Sequence, residues 1–126
     1  MIILAFDYGR KKIGVALSQG PLADPLVVLH GETLADLQKK ALEIIRVEKP
    51  DLIIVGLSER YIAKEAETFG KDIELLSSVK VTFVDETLST YDAQQMAIAG
   101  GMSRKKRKTL EDAFSAAVIL QRYLDA

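Results

Sequence analysis

Residues 2–17 read IILAFDYGRKKIGVAL. Two short apolar runs, residues 2–7 and 12–17, are separated by a polar segment that contains Gly9. Two apolar runs joined by a short glycine-containing segment are typical of a β-hairpin. The sequence therefore predicts an antiparallel pair of strands at the start of the chain, with an acid, Asp7, at the end of the first strand.

The rest of the chain alternates between apolar runs and segments of helical periodicity. Further strands are predicted at residues 25–29, 51–56 and 80–84. Helices are predicted at residues 33–48, 61–77, 89–99 and 109–124. The second of these helices is expected to be interrupted near Gly70. An antiparallel start followed by strand–helix alternation predicts a three-layer α/β sandwich with a five-stranded mixed sheet, in one domain spanning residues 1–126.

The composition restricts the chemistry that this chain can perform. It has 126 residues, of which 48% are hydrophobic and 28% charged, as in an ordinary globular domain. It has no cysteine and a single histidine, His30, which excludes thiolate zinc sites and cysteine nucleophiles. A metal would need oxygen ligands, which favours Mg²⁺ or Mn²⁺. No basic segment precedes the N-terminal apolar run, so we expect neither a secretion signal nor a membrane span. We therefore expect a cytoplasmic protein.

Basic residues are concentrated in two short segments. They are Arg10, Lys11 and Lys12, and Arg104, Lys105, Lys106, Arg107 and Lys108. The net charge of −1 includes these eight positive charges, so the rest of the chain carries −9. The two segments are therefore candidate nucleic-acid contacts, although such runs are equally typical of solvated loops. Gly9 and Gly14 could let a phosphate backbone approach, or could serve turn geometry and helix packing.

Three acids lie where packing explains them poorly. Asp7 ends the first strand, Glu86 follows the fifth, and Asp112 lies in the first turn of the last helix. Ligands of α/β sheets commonly bind at the carboxyl ends of strands. Because converging carboxylates repel one another unless cations lie between them, the three acids together indicate a site for two metal ions.

Each acid also has a structural interpretation. Asp7 could cap its own turn, and Thr109 with Asp112 matches a helix-capping pattern. Asp85 could be the inward-facing acid in place of its neighbour Glu86. These alternatives stay open at the level of the single residues.

Four ordered motifs resemble the YqgF family, RuvC-like members of the RNase H-like superfamily. They are FDYGRKKIGVA at 6–16, IVGL at 54–57, DETLST at 85–90, and the last helix from Asp112 to Leu124. The resemblance spans nearly the whole chain, and it implies the RNase H-like sheet. It makes Asp7, Glu86 and Asp112 the catalytic metal ligands for Mg²⁺ or Mn²⁺.

The resemblance implies a metal-dependent endonuclease that processes the 5′ end of pre-16S rRNA by a two-metal-ion mechanism. The family has also been described as Holliday junction resolvases, which would act as two-fold dimers. A non-catalytic RNA-binding module of the same fold is a further alternative, and the sequence does not choose between monomer and homodimer. Actin-like kinases share the Asp-x-Gly hairpin, but 126 residues leave no room for their second domain.

Two positions depart from the family pattern. Thr87 stands where most members have an arginine after the Asp-Glu pair, so the contact of that arginine is missing or is made by another residue. Residues 58–61, SERY, replace a proline and a longer glycine-containing insert that many members carry.

Overall fold

The computed structural model describes residues 1–57, 60–85 and 110–126. In chain order, its elements are β1 (Ile3–Asp7), β2 (Lys12–Ser18), β3 (Ala23–His30), α1 (Leu34–Glu48), β4 (Leu52–Leu57), α2 (Arg60–Ser77), β5 (Val81–Asp85) and α3 (Glu111–Asp125). Each strand and helix predicted in these ranges is present, with bounds that differ by one or two residues. The helix predicted at 89–99 lies outside the described residues. No helix in the described ranges is long and apolar enough to span a membrane.

The five strands form one mixed sheet in the order β3-β2-β1-β4-β5. The pairs β1–β2 and β2–β3 are antiparallel, whereas β1–β4 and β4–β5 are parallel. A parallel neighbour needs a crossover connection, which α1 supplies between β3 and β4 and α2 between β4 and β5. The predicted fold class, with three antiparallel strands followed by parallel ones, is confirmed.

The two faces of the sheet are packed differently. Large side chains fill the face under α1 and α2, where Phe69 lies with its ring centroid 5.8 Å from Phe6 and 5.2 Å from Tyr8. The opposite face, under α3, is rich in small residues; the alanines of this cluster are Ala5, Ala16, Ala23, Ala116 and Ala117. Helix therefore covers each face of the sheet. The small residues under α3 let this helix lie close to the strands.

The start of α1 agrees with its predicted cap, whereas the predicted course of α2 is corrected by the structure. Thr33 caps α1, since its side-chain oxygen accepts a hydrogen bond from the Asp36 amide at 3.2 Å. The break predicted near Gly70 is wrong, because α2 runs through it without interruption. A Cβ at Gly70 would lie 2.5 Å from ring atoms of Phe83. This glycine therefore serves the packing of α2 on β5 and does not interrupt the helix.

Phe69→Ala tests the core under α2. Removing this fully buried ring leaves a cavity between two aromatic neighbours, so the free energy of unfolding should fall by about 3–5 kcal/mol. Leu75→Ala is the control on the same helix, because Leu75 is 80% exposed and its loss should change stability by less than about 0.5 kcal/mol. Urea unfolding followed by circular dichroism measures both, and equal losses would contradict this packing.

Candidate active site

Asp7 is the last residue of β1, and the residue paired with it on each neighbouring strand is a glycine. Its register partner in β2 is Gly14, and its partner in β4 is Gly56. Side chains alternate along a strand, and Ala5 packs on the α3 side whereas Phe6 packs on the α1 and α2 side. Asp7 therefore lies on the α3 side of the sheet, with no side chain beside it on either neighbouring strand.

Helix α3 begins directly against this position. A Cβ on Gly14 would lie 1.8 Å from the backbone oxygen of Asp112 and 2.9 Å from the nitrogen of Ala113. The first turn of α3 thus occupies the space that any side chain at position 14 would need. Since antiparallel partners have Cα atoms about 4.5–5.5 Å apart, Asp112 is anchored over the strand position next to Asp7. The structure therefore places the backbones of these two predicted acids close together.

Gly14 therefore serves helix packing, and its open side is not available to a phosphate backbone. Gly9 has a similar constraint, because a Cβ there would lie 2.5 Å from the carbonyl oxygen of Lys12. Of the two roles that the sequence allowed for each glycine, the structure supports the packing and turn roles.

Asp112 is held by charge as well as by packing. Its Oδ2 lies 3.1 Å from the Nζ of Lys12, and its side chain is 33% exposed. A carboxylate in the first turn also interacts favourably with the helix dipole. The N-cap position is Leu110, which makes no side-chain capping hydrogen bond. Thr109, the first residue of the predicted capping pattern, lies outside the described residues.

The third acid of the predicted site, Glu86, lies outside the described residues. Its neighbour Asp85 is exposed at the end of β5. Phe83 packs on the α1 and α2 side and Val84 on the α3 side, so alternation directs Asp85 away from the face of Asp7. Within residues 1–57, 60–85 and 110–126, no three acids or histidines come close enough to hold a metal ion.

The three basic residues of the first hairpin all face acids. Arg10 makes a bidentate pair with Glu65, in which its Nη2 donates to Oε2 at 2.7 Å and its Nε donates to Oε1 at 3.2 Å. Lys11 lies 3.7 Å from Glu32, and Lys12 contacts Asp112 as above. The second predicted basic segment, residues 104–108, lies outside the described residues.

Glu65 was not singled out by the sequence, because it is 55 residues from Arg10 on an otherwise ordinary amphipathic helix. It also acts on Tyr8, which is buried against Phe69. Burial raises the pKa of the Tyr8 phenol, the charge of Glu65 and a hydrogen bond with it raise that pKa further, and Arg10 opposes the shift. Tyr8 and Arg10 are therefore tied to α2 through one carboxylate.

Two solved structures with a similar fold are Holliday junction resolvases. Thermus thermophilus RuvC in complex with a Holliday junction substrate aligns with a TM-score of 0.69 and 17% identity, covering 99% of this chain and 95% of that one. The fowlpox virus Holliday junction resolvase aligns with a TM-score of 0.67 and 15% identity over 99% and 98% of the two chains. At this level of identity the likeness defines the fold, which is RuvC-like.

The sequence comparisons identify the family. A family model described as "RuvX: Holliday junction resolvase" matches residues 1–126. A protein of Endomicrobium trichonymphae named "Putative pre-16S rRNA nuclease" is 36% identical, over 98% of this chain and 94% of the relative. A Thiobacillus denitrificans protein of the same name is 35% identical over 98% and 91%. The chain belongs to the RuvX family, which confirms the resemblance to the YqgF proteins.

Gly14→Ala tests the contact that positions Asp112. The added methyl group meets backbone atoms that cannot rotate away, so α3 must shift and the free energy of unfolding should fall by about 1–3 kcal/mol or more. Gly20→Ala is the matched control, because a Cβ there has no heavy atom within 4 Å. Thermal unfolding of both variants measures the difference. Equal melting temperatures would show that α3 does not rest on Gly14.

Proposed function

We propose that this protein is a divalent-metal-dependent endonuclease that acts on structured nucleic acid and processes the 5′ end of pre-16S rRNA. The observation that carries the proposal is the placement of Asp112 over Gly14, beside Asp7 and on the same side of the sheet. Two carboxylates at the carboxyl end of a central strand occupy the position where α/β sheets bind ligands. The names of the relatives support the choice of RNA.

The donor set fits Mg²⁺ or Mn²⁺. Asp7 and Asp112 offer hard carboxylate oxygens, and the chain has no cysteine to favour a softer metal. We assign Glu86, which directly follows β5, as the third acid, so that Asp7, Asp112 and Glu86 would hold the metal. Metal bound there would activate water and stabilise the leaving oxygen of a phosphodiester. No histidine base is then needed.

The basic residues flank this site in the sequence. The hairpin residues Arg10, Lys11 and Lys12 follow Asp7 directly, and residues 104–108 shortly precede α3 and its Asp112. We assign both segments to the phosphates on either side of the cleaved bond. Processing of an rRNA precursor also implies that the protein works in the cytoplasm.

A Holliday junction resolvase is the second candidate, because the family model carries that description. A four-way junction must be cut symmetrically on two strands, which requires two sites related by a two-fold axis. The resolvase function therefore predicts a homodimer, whereas processing of one RNA end requires a single site.

Asp7→Asn and Asp112→Asn test the site. Each change keeps the shape of the side chain but removes a charged metal ligand, so Mg²⁺-dependent cleavage should fall at least about a hundredfold. Asp24→Asn is the matched control, since Asp24 is exposed and pairs with Leu17 at the opposite end of the sheet. Cleavage of a pre-16S rRNA fragment with Mg²⁺ or with EDTA measures the effect. Undiminished cleavage by Asp7→Asn would remove the proposed mechanism.

Substrate choice is tested with wild-type protein on two nucleic acids. The proposal expects cleavage of a precursor fragment that spans the mature 5′ end of 16S rRNA, and little cleavage of a synthetic four-way DNA junction. Light scattering on the same preparation gives the oligomeric state. A dimer that cuts the junction symmetrically and leaves the RNA intact would establish the resolvase function instead.

A further inference from the structure

Lys12 contacts one of the proposed metal ligands. Its Nζ lies 3.1 Å from the Asp112 carboxylate, and the side chains are 58% and 33% exposed. The neighbouring Lys11 also pairs with an acid, Glu32, but at 3.7 Å and with exposures of 76% and 84%. Lys12 is therefore held against the site, whereas Lys11 and its partner lie at the open surface.

A divalent cation at Asp112 would need the carboxylate that Lys12 now contacts. The ammonium group would also repel an arriving cation, since both are positive and only a few ångströms would separate them. An ion pair between partly exposed groups is weak, and the four-carbon stem of lysine is flexible. A divalent ion can therefore displace the ammonium group without disturbing the backbone of β2.

We propose that Lys12 is a built-in counter-ion of Asp112 that a divalent cation displaces, and that the released ammonium group then binds a phosphate of the nucleic acid. Lys12 begins β2, at the end of the hairpin that starts from Asp7, so its released side chain stays beside the site. Since metal at Asp112 releases Lys12 for a phosphate, metal binding strengthens the binding of nucleic acid, and by linkage nucleic acid strengthens the binding of metal. This inference rests on the proposed metal site. It adds Lys12 as the residue that couples metal binding to nucleic-acid binding.

Lys12→Met tests the first half of the inference in the absence of nucleic acid. Methionine keeps most of the apolar stem and removes the charge, so the dissociation constant for Mn²⁺ should fall about five- to tenfold. Lys11→Met changes the net charge equally at the adjacent position, and it should alter that constant less than twofold. Isothermal titration calorimetry with MnCl₂ measures all three proteins, and circular dichroism checks that each is folded.

Two results would overturn the inference, and only the second would also overturn the proposed metal site. Equal Mn²⁺ affinities in wild type, Lys11→Met and Lys12→Met would remove the counter-ion role and leave the metal site standing. An absence of Mn²⁺ binding in all three proteins would remove the proposed metal site as well.

The second half is tested with a fluorescein-labelled fragment of the 16S rRNA precursor. Ca²⁺ replaces Mg²⁺, because it takes the same oxygen ligands with looser geometry and disfavours cleavage during the measurement. Without Ca²⁺, Lys12→Met should bind the fragment within about twofold of wild type, since Lys12 is then engaged by Asp112. With Ca²⁺, the variant should bind more weakly, and its salt dependence should fall by about one unit of slope.

Lys11→Met is again the matched control, because any loss of RNA affinity in that variant should be the same with and without Ca²⁺. Fluorescence anisotropy at several salt concentrations measures these affinities. A loss in Lys12→Met that is independent of Ca²⁺ would identify Lys12 as an ordinary phosphate contact and overturn the coupling.

Discussion

The contact between the first turn of α3 and Gly14 is the constraint on which the candidate site depends. A helix that packs on a sheet is normally held away from it by the side chains between the two backbones. At Gly14 the side chain is absent, and the backbone oxygen of Asp112 enters the space of the missing Cβ. Asp112 of α3 therefore lies close to the sheet, next to the strand that ends in Asp7.

The helices on the two faces of the sheet pack against side chains of different size. Under α1 and α2, large side chains such as Phe69 and Phe6 bury much apolar surface and supply most of the stabilisation. Under α3, glycine and alanine bury less surface per residue but set a short distance between helix and sheet. Both faces therefore stabilise the fold, and the face under α3 also sets the position of Asp112.

The order of elements, the place of Asp7 at a strand end and the place of Asp112 in a first helical turn could be predicted from the sequence, because apolar periodicity and strand ends are local signals. Contacts between distant elements could not. Nothing near Gly14 in the sequence shows that Asp112 fills its empty side, and nothing near Gly70 shows that the ring of Phe83 packs there. The face of Asp85 was equally hidden, since the run VTFVD is apolar on both sides and shows no alternation. The packing of the helices on the sheet, not the pattern within one strand or helix, decides these points.

The hairpin cations are neutralised within the protein, which affects how it can bind nucleic acid. Each phosphate that binds there must replace a carboxylate, so the free energy gained is a difference between two charge pairs. A single phosphate gains little from such an exchange. A backbone that reaches several cations at once gains more, because the entropy of docking is lost only once.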